Sequence, residues 1–193
     1  YKFDRSQMRN YAGSGPTFPA APLPAPQPSI LAGEAQFGYR NSSSLGYTLS
    51  YDTRRGGLNP NAGILAEFEQ DFGGVGGDVQ FVKSTAKLIA QTKVLNEEVT
   101  LRATLSGGML NYRGAKTSRA IDRFLYGNNI MRGFDVDGIG PRQCDTAGCV
   151  GATYNEALGG DFYATAQFEA IFPLGLPEEY GLQGGVFYDI GSV

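Results

Sequence analysis

Apolar and polar residues alternate along most of this chain. The pattern is clearest from Asp161 to Phe172, where the even positions are alanine or phenylalanine and the odd positions, except Ile171, are polar. A repeat of two residues is typical of a β-strand that presents different chemistry on its two faces. The same pattern predicts further strands at 1–4, 45–52, 64–72, 79–94, 99–106 and 182–190, about seven strands in all.

The predicted strands are joined by connectors that are rich in turn residues, at 54–61, 73–77 and 95–97. Adjacent strands joined this tightly must be antiparallel. Near Phe81 and Val82 the apolar positions change from odd to even, which predicts a β-bulge or a strand end at that point.

Two long segments do not alternate and are predicted to be loops. Residues 10–38 contain six prolines between Pro16 and Pro28, so the first half should be extended and polyproline-like, and residues 30–38 could add a short strand. Residues 113–156 are rich in Gly, Asn and Asp and are too long for an ordinary connector. A loop of this length within an all-β domain is usually functional or disordered.

The predicted strands fit two all-β architectures. In a soluble sandwich the apolar faces would point at each other, whereas in a transmembrane β-barrel they would face lipid and the polar faces would line the interior. Here the polar faces carry many ionisable side chains and no obligatory hydrophobic core, and the apolar faces mix small residues with Phe, Tyr and Leu. This favours an antiparallel transmembrane β-barrel over an extracellular or periplasmic sandwich.

The amino-acid composition limits the classes of function that the chain can have. The chain has no His, the commonest general base and metal ligand, so an enzyme would have to rely on carboxylates, Ser, Lys or Tyr. The net charge of -3 and the scattered Lys and Arg argue against nucleic-acid binding. The chain starts within a predicted strand and has no apparent signal peptide, so we expect it to be a piece of a longer protein.

Part of the second long loop resembles a known family. It reads RFLYGNNIMRGF over residues 123–134 and GIGPR over 138–142. These residues are similar to the sixth extracellular loop of the BamA family of outer-membrane protein assembly factors, whose hallmark is a Val-Arg-Gly-Phe tetrad; Met131 stands in place of the valine. Further blocks follow in the family's order, YDT at 51–53 with Pro60 and Gly63, ALGG at 157–160 and FYDIGSV at 187–193, so the resemblance covers about residues 39–193.

The resemblance implies a fold and a function. Residues 1–193 would form part of one transmembrane domain, about seven strands of a sixteen-stranded antiparallel β-barrel in the bacterial outer membrane. Residues 10–38 and 113–156 would be extracellular loops, the second folded into the barrel. The whole protein would be the central component of the machinery that folds and inserts β-barrel proteins, without enzymatic activity or a cofactor. Its partners would be outer-membrane lipids, accessory assembly lipoproteins and unfolded β-barrel substrates.

The resemblance also implies an interior latch. In the family, the loop arginine contacts carboxylates on the interior of the two strands that follow, and the matching residues are Arg132, Glu169 and Asp189. The alternation independently places both acids on polar faces. Gly133 is expected to let the loop backbone bend or approach the wall, and Phe134 to pack inside as an apolar anchor. The alternatives are that Arg132 lies on a surface turn with the acids hydrated, and that Gly133 is an ordinary turn glycine.

Cys144 and Cys149 lie close together in the same loop. In an oxidising compartment such a pair is expected to form a disulfide, and BamA relatives often carry a cysteine pair at this place. Two thiolates without His are half a zinc site, so no metal site is expected. The acidic cluster Glu67, Glu69 and Asp71 is better explained by a water-filled interior than by a calcium or general-acid site.

Three other interpretations remain open. A secretion transporter of the same superfamily would pass a soluble partner through the barrel, but the cysteine pair and the GIGPR segment favour the BamA family. A passive porin predicts ion conductance and no effect on other barrels. A soluble β-sandwich binding module predicts a natural protein that partitions away from membranes.

Overall fold

A computed structural model describes residues 2–6, 40–54, 62–96, 98–114, 118–128, 130–144, 155–175 and 181–193, together with Ile30 and Glu34; for 2–6 it describes the backbone alone. The polyproline-like loop and the short strand expected within 10–38 lie outside the described residues, apart from Ile30 and Glu34. Within the described ranges, no helix is long and apolar enough to cross a membrane.

Most described residues belong to β-strands. The strands are β1 (Lys2–Ser6), β2 (Arg40–Asp52), β3 (Gly63–Gly73), β4 (Phe81–Val94), β5 (Val99–Tyr112), β6 (Arg142–Cys144), β7 (Asn155–Ala157), β8 (Phe162–Pro173) and β9 (Gln183–Ser192), and a short 3-10 helix covers Ala120–Asp122. Seven strands form one antiparallel sheet in the order β1-β2-β3-β4-β5-β8-β9, and β6 pairs with β7 in a separate hairpin. The predicted antiparallel strands are confirmed, and β1 and β9 lie at the edges of an open sheet.

The register between strands places most of their apolar residues on one face, which we call the outer face. One row of this face runs across five strands through directly paired residues, from Ile64 through Ala90, Ala103 and Phe168 to Tyr188. Large side chains along the face are exposed, and Tyr188 is 61% exposed. Because so extensive an exposed apolar surface is unfavourable in water, it fits contact with lipid.

The opposite face, which we call the inner face, carries the ionisable residues and also a small hydrophobic core. The core consists of Val79, Phe81, Leu110, Phe124 and Tyr163. The expectation that the polar faces lack a hydrophobic core is therefore wrong at this end of the sheet. Alternation could not reveal the core, because Phe124 comes from the long loop and meets the sheet only in the folded chain.

The change of phase in the fourth predicted strand marks a strand end. β4 begins at Phe81, and its ladder with β5 runs without interruption from Phe81 to Val94. Of the two expected alternatives, a bulge or a strand end, the structure shows the second.

β5 continues to Tyr112, beyond the predicted end at Ser106. Gly107 and Gly108 hide the alternation there, because glycine has no side chain to assign to a face. A Cβ at Gly108 would lie 2.3 Å from Tyr163 Cε1, so the position holds glycine where an aromatic ring crosses the backbone.

Candidate functional site

The second long loop returns to the inner face and contacts it at two places. We call the first the root anchor, formed by Tyr112, Arg119, Asp122, Phe124 and Tyr163, and the second the tip anchor, formed by Arg132, Glu169 and Asp189. The loop enters the root anchor through a backbone bridge, in which the N–H groups of Phe124 and Gly160 each donate to the other's carbonyl, at 2.9 and 3.0 Å.

The polar part of the root anchor converges on Asp122. The Tyr112 hydroxyl donates to the Asp122 carboxylate, and Arg119 donates to it from Nε at 2.6 Å and from Nη2 at 3.0 Å. Lys83 Nζ donates to the Asp122 carbonyl at 3.1 Å and lies 4.4 Å from the centroid of the Phe124 ring. Lys83 of β4 and Tyr112 of β5 thus both bind Asp122, the last residue of the short 3-10 helix.

The apolar part of the root anchor is a cluster of aromatic rings. Phe124 is 5% exposed, and its ring centroid lies 4.7 Å from that of Tyr163. The Tyr126 ring lies 4.3 Å from the Tyr163 ring. Burial and a hydrogen bond with Tyr163 raise the pKa of Tyr126 above its ordinary value, so its hydroxyl stays neutral. The root is therefore fixed by packing as well as by charge.

The tip anchor joins one loop arginine to two strands. Arg132 donates to the Asp189 carboxylate from Nε at 2.8 Å, from Nη2 at 2.7 Å and from its backbone N–H at 3.1 Å. Its Nη1 donates to Glu169 Oε1 at 2.5 Å. Hydrogen bonds to Asp189 and then to Glu169 raise the pKa of Arg132 above its ordinary value, so the guanidinium stays charged. The structure thus brings together the three residues that the sequence singled out.

Three inner-face residues that sequence reasoning did not assign to the site support the tip. The Gln167 side-chain amide donates to the Ile130 carbonyl. The Phe187 ring centroid lies 3.8 Å from Arg132 Cζ, a cation–π contact. Gly191 leaves room for the loop, because a Cβ there would lie 2.9 Å from Met131 Sδ. Phe187 could have been found from the sequence, since it is a large apolar residue on a face that is otherwise polar.

Met131, rather than Phe134, is the buried apolar residue of the tetrad. Met131 is 6% exposed and Phe134 is 46% exposed. The expected packing of Phe134 inside the barrel stays a prediction, because this open sheet is only part of the barrel wall. Gly133 lies between them with φ of +87°, so it supplies the expected bend, and the backbone turns there after Met131 and Arg132 have contacted the wall.

The predicted cysteine pair lies partly outside the described residues. Cys144 ends β6 and is disulfide-bonded, whereas Cys149 is not among the described residues. Gln143, next to it, accepts a hydrogen bond from the Ile30 N–H at 3.0 Å. The pairing of Cys144 with Cys149 stays a prediction.

The acidic cluster of β3 faces bases on β4. In the sheet register Glu67 lies opposite Lys87, and Asp71 lies opposite Lys83. Within the part of the chain that the structure describes, no group of three or more His, Cys, Asp or Glu side chains could hold a metal ion. Opposite charges on paired strands account for Glu67 and Asp71, whereas Glu69 lies opposite Thr85.

An open antiparallel sheet with an exposed apolar face, and with a charged inner face that holds a folded-in loop, is the wall of a transmembrane β-barrel. The fold is similar to the crystal structure of BamA from Haemophilus ducreyi lacking POTRA domains 1-3, with a TM-score of 0.68 and 18% identity over 80% of this chain and 30% of that one. The family model of the Omp85 superfamily domain matches residues 2–193, and the chain belongs to this superfamily.

Curated relatives agree with this assignment. The chain is 32% identical over 157 residues to the outer membrane protein assembly factor BamA of Neorickettsia risticii, and 31% identical over 152 residues to the sorting and assembly machinery component 50 homolog of Bos taurus. These alignments cover 81% and 78% of this chain, but only 20% and 30% of the two relatives. The resemblance to the BamA family is confirmed, and the chain spans a minor part of the proteins that it matches.

Proposed function

We propose that the protein containing this chain is the central component of the machinery that folds and inserts β-barrel proteins into the bacterial outer membrane. The observation that carries the proposal is the docked loop tip, in which Arg132 reaches two inner-face carboxylates. Relatives from a bacterium and from vertebrates that are named as assembly components support it. The work is conformational, and no bond is made or broken.

The physical task is to pair strand edges within lipid. An unpaired edge exposes N–H and C=O groups that the hydrocarbon region cannot satisfy, and each such group costs several kcal/mol, on the order of 2–7. In this proposal the barrel lowers this cost by offering its own first and last strands as a template. The substrates are unfolded outer-membrane β-barrel proteins, and the further partners are outer-membrane lipids and accessory assembly lipoproteins.

Within this scheme, the tip anchor holds the loop inside the barrel. Residues 10–38 and 113–156 are extracellular loops. The long loop stays docked because the Arg132 guanidinium neutralises the carboxylates of Glu169 and Asp189. A Cys144–Cys149 disulfide stiffens the distal part of the loop. Loss of the arginine is then expected to weaken assembly without removing any part of the strand edges.

The test is depletion of the full-length protein in its bacterial host with quantification of folded, heat-resistant porins in the outer membrane. We expect many unrelated barrels to decline together while their unfolded precursors accumulate. Complementation with wild type should restore them, complementation with Arg132→Ala should restore them only in part, and Arg113→Ala is the matched control because Arg113 is an exposed arginine at the start of the loop.

Three results would contradict the proposal. Normal porin levels after depletion would remove the assembly function. Loss of a single secreted client with normal porins would favour the secretion transporter, and ion conductance with normal porins would favour the passive porin. Full restoration by Arg132→Ala would leave assembly in place but remove the role of the tip anchor.

A further inference from the structure

Glu169 lies between two guanidinium groups, one from the loop and one from the wall. Its Oε1 binds Arg132 Nη1 at 2.5 Å, and its Oε2 lies 3.7 Å from Arg102 Nη1. Arg102 is the direct neighbour of Glu169 in the β5–β8 ladder. Its Nε donates to Gln91 Oε1 at 3.0 Å, so the wall arginine is held beside Glu169 at ion-pair distance.

Asp189 differs from Glu169 in its surroundings. Its side chain is only 3% exposed, whereas that of Glu169 is 26% exposed. Among the described residues, the hydrogen bonds that reach the Asp189 carboxylate all come from Arg132. Departure of the loop tip would therefore leave Asp189 without its partner, while Glu169 would still have a cation beside it.

We propose that Arg102 is the replacement partner of Glu169, which takes over the carboxylate when Arg132 leaves and so makes release of the loop tip easier. Arg102 affects both states of the equilibrium between a docked and a released loop tip. In the docked state it competes with Arg132 for Glu169 and repels the second guanidinium. In the released state it neutralises Glu169, and a shift of about 1 Å would bring Nη1 within hydrogen-bond range.

The sign of the effect follows from these two contributions. Removing the charge of Arg102 relieves the competition in the docked state and leaves Glu169 unpaired in the released state. Both changes favour docking, so Arg102→Met should make the loop tip leave less often. A residue that only orients Glu169 for Arg132 would give the opposite result, because its loss would weaken docking.

The experiment measures how often the tip opens in the folded, full-length protein. Met131→Cys is the reporter, because this residue is buried against the wall, and the rate of maleimide labelling reports its exposure. We expect Arg102→Met to slow labelling of the reporter about two- to five-fold, the range of a partly exposed ion pair, and Arg102→Lys to slow it less. Protein without the reporter gives the background labelling of the native cysteines.

Repeating the measurement with Glu169→Gln present tests whether Arg102 acts through the Glu169 carboxylate. When Glu169→Gln is present, Arg102→Met should slow labelling much less, because there is no carboxylate to exchange. Lys87→Met is the matched control, since Lys87 is an inner-face cation that lies opposite Glu67 rather than Glu169, and it should act equally in both backgrounds. Only the folded, heat-resistant fraction is scored, and Arg102→Gln provides the same test if the methionine variant folds poorly.

Two results overturn the inference while leaving the anchor role of Arg132 in place: unchanged or faster labelling in Arg102→Met, or equal slowing with and without Glu169. The inference rests on the proposed role of Arg132 as the tip anchor, and the same assay separates the two. If Arg132→Ala does not accelerate labelling, the anchor role fails and the inference fails with it. If Arg132→Ala accelerates labelling and Arg102→Met does not slow it, only the inference fails.

Discussion

The root anchor and the tip anchor hold the same loop by different means. At the root, the buried Phe124 ring packs on Tyr163, and Asp122 gathers hydrogen bonds from several residues. At the tip, one loop side chain, Arg132, makes the ion pairs to both carboxylates, next to the smaller wall contacts of Ile130 and Met131. Packing shared by many groups is hard to undo in one step, whereas an ionic contact made by one side chain can be exchanged. The difference indicates a loop fixed at its root and releasable at its tip.

The largest effect is expected at the root. Phe124→Ala removes a buried aromatic ring and should lower the free energy of unfolding by about 3–5 kcal/mol. The measurement is the urea concentration at which the full-length protein loses its heat-resistant folded band. Ile121→Ala, at a 54% exposed position of the adjacent 3-10 helix, is the control and should change little. Equal effects of the two variants would show that packing does not hold the root.

The tip should respond with local release rather than unfolding. Arg132→Ala leaves Asp189 unpaired and should cost about 2 kcal/mol of docking energy, as expected for hydrogen bonds to a charged group. The maleimide labelling rate of Met131→Cys should therefore rise, while the urea midpoint of the folded band moves little. Arg132→Lys keeps the charge but loses the two-pronged contact, and an intermediate rate is expected. If Arg132→Ala lowered the urea midpoint as much as Phe124→Ala does, the two anchors would not hold the loop by different means.

Substitutions of two neighbouring glycines of β5 test how tightly the Tyr163 ring packs in the root anchor. Gly108→Ala places a Cβ 2.3 Å from Tyr163 Cε1 and should destabilise the folded protein by about 1–3 kcal/mol. Gly107→Ala is the matched control, since its Cβ would have ordinary contact at 3.4 Å from the Tyr163 carbonyl oxygen. Comparable urea midpoints for the two variants would mean that the ring moves aside freely.

The smallest effect is expected for one polar contact of the root. Tyr112→Phe removes the hydroxyl that donates to Asp122, but Arg119 remains bound to the same carboxylate. The expected loss is about 0.5–1.5 kcal/mol of unfolding free energy in the same urea assay. A loss near that of Phe124→Ala would show that the root depends on this network rather than on its aromatic packing.

Much of the tip anchor was predictable before the fold was known. The alternation placed Glu169 and Asp189 on polar faces, and the family resemblance supplied Arg132 as their partner. The interior position of Phe134 stays a prediction, whereas the burial of Met131 against the wall became visible only in the fold. Arg102 lies at a polar position of the predicted strand 99–106, but its closeness to Glu169 depends on strand register and was not predictable.

The root anchor could not be read from the sequence. Tyr163 and Phe81 occupy positions whose neighbours on the same face are mostly polar, and their packing partner Phe124 is distant in the chain. Alternation reports which face a residue occupies but not what covers that face. The covering element is a loop without periodicity, so its contacts exist only once β5 and β8 have paired.

By itself, the sequence determined most of the strands, the antiparallel pairing of those joined by short connectors and the two chemically different faces, because side chains alternate along a strand and a short connector brings its two strands side by side. Tertiary structure decided where the loop lies and how firmly each part is held. That outcome depends on register, on the glycines that let rings and backbone approach, and on distances between charges that are far apart in the chain. The sequence thus specifies the wall of the barrel, and the fold specifies the difference between a fixed root and an exchangeable tip.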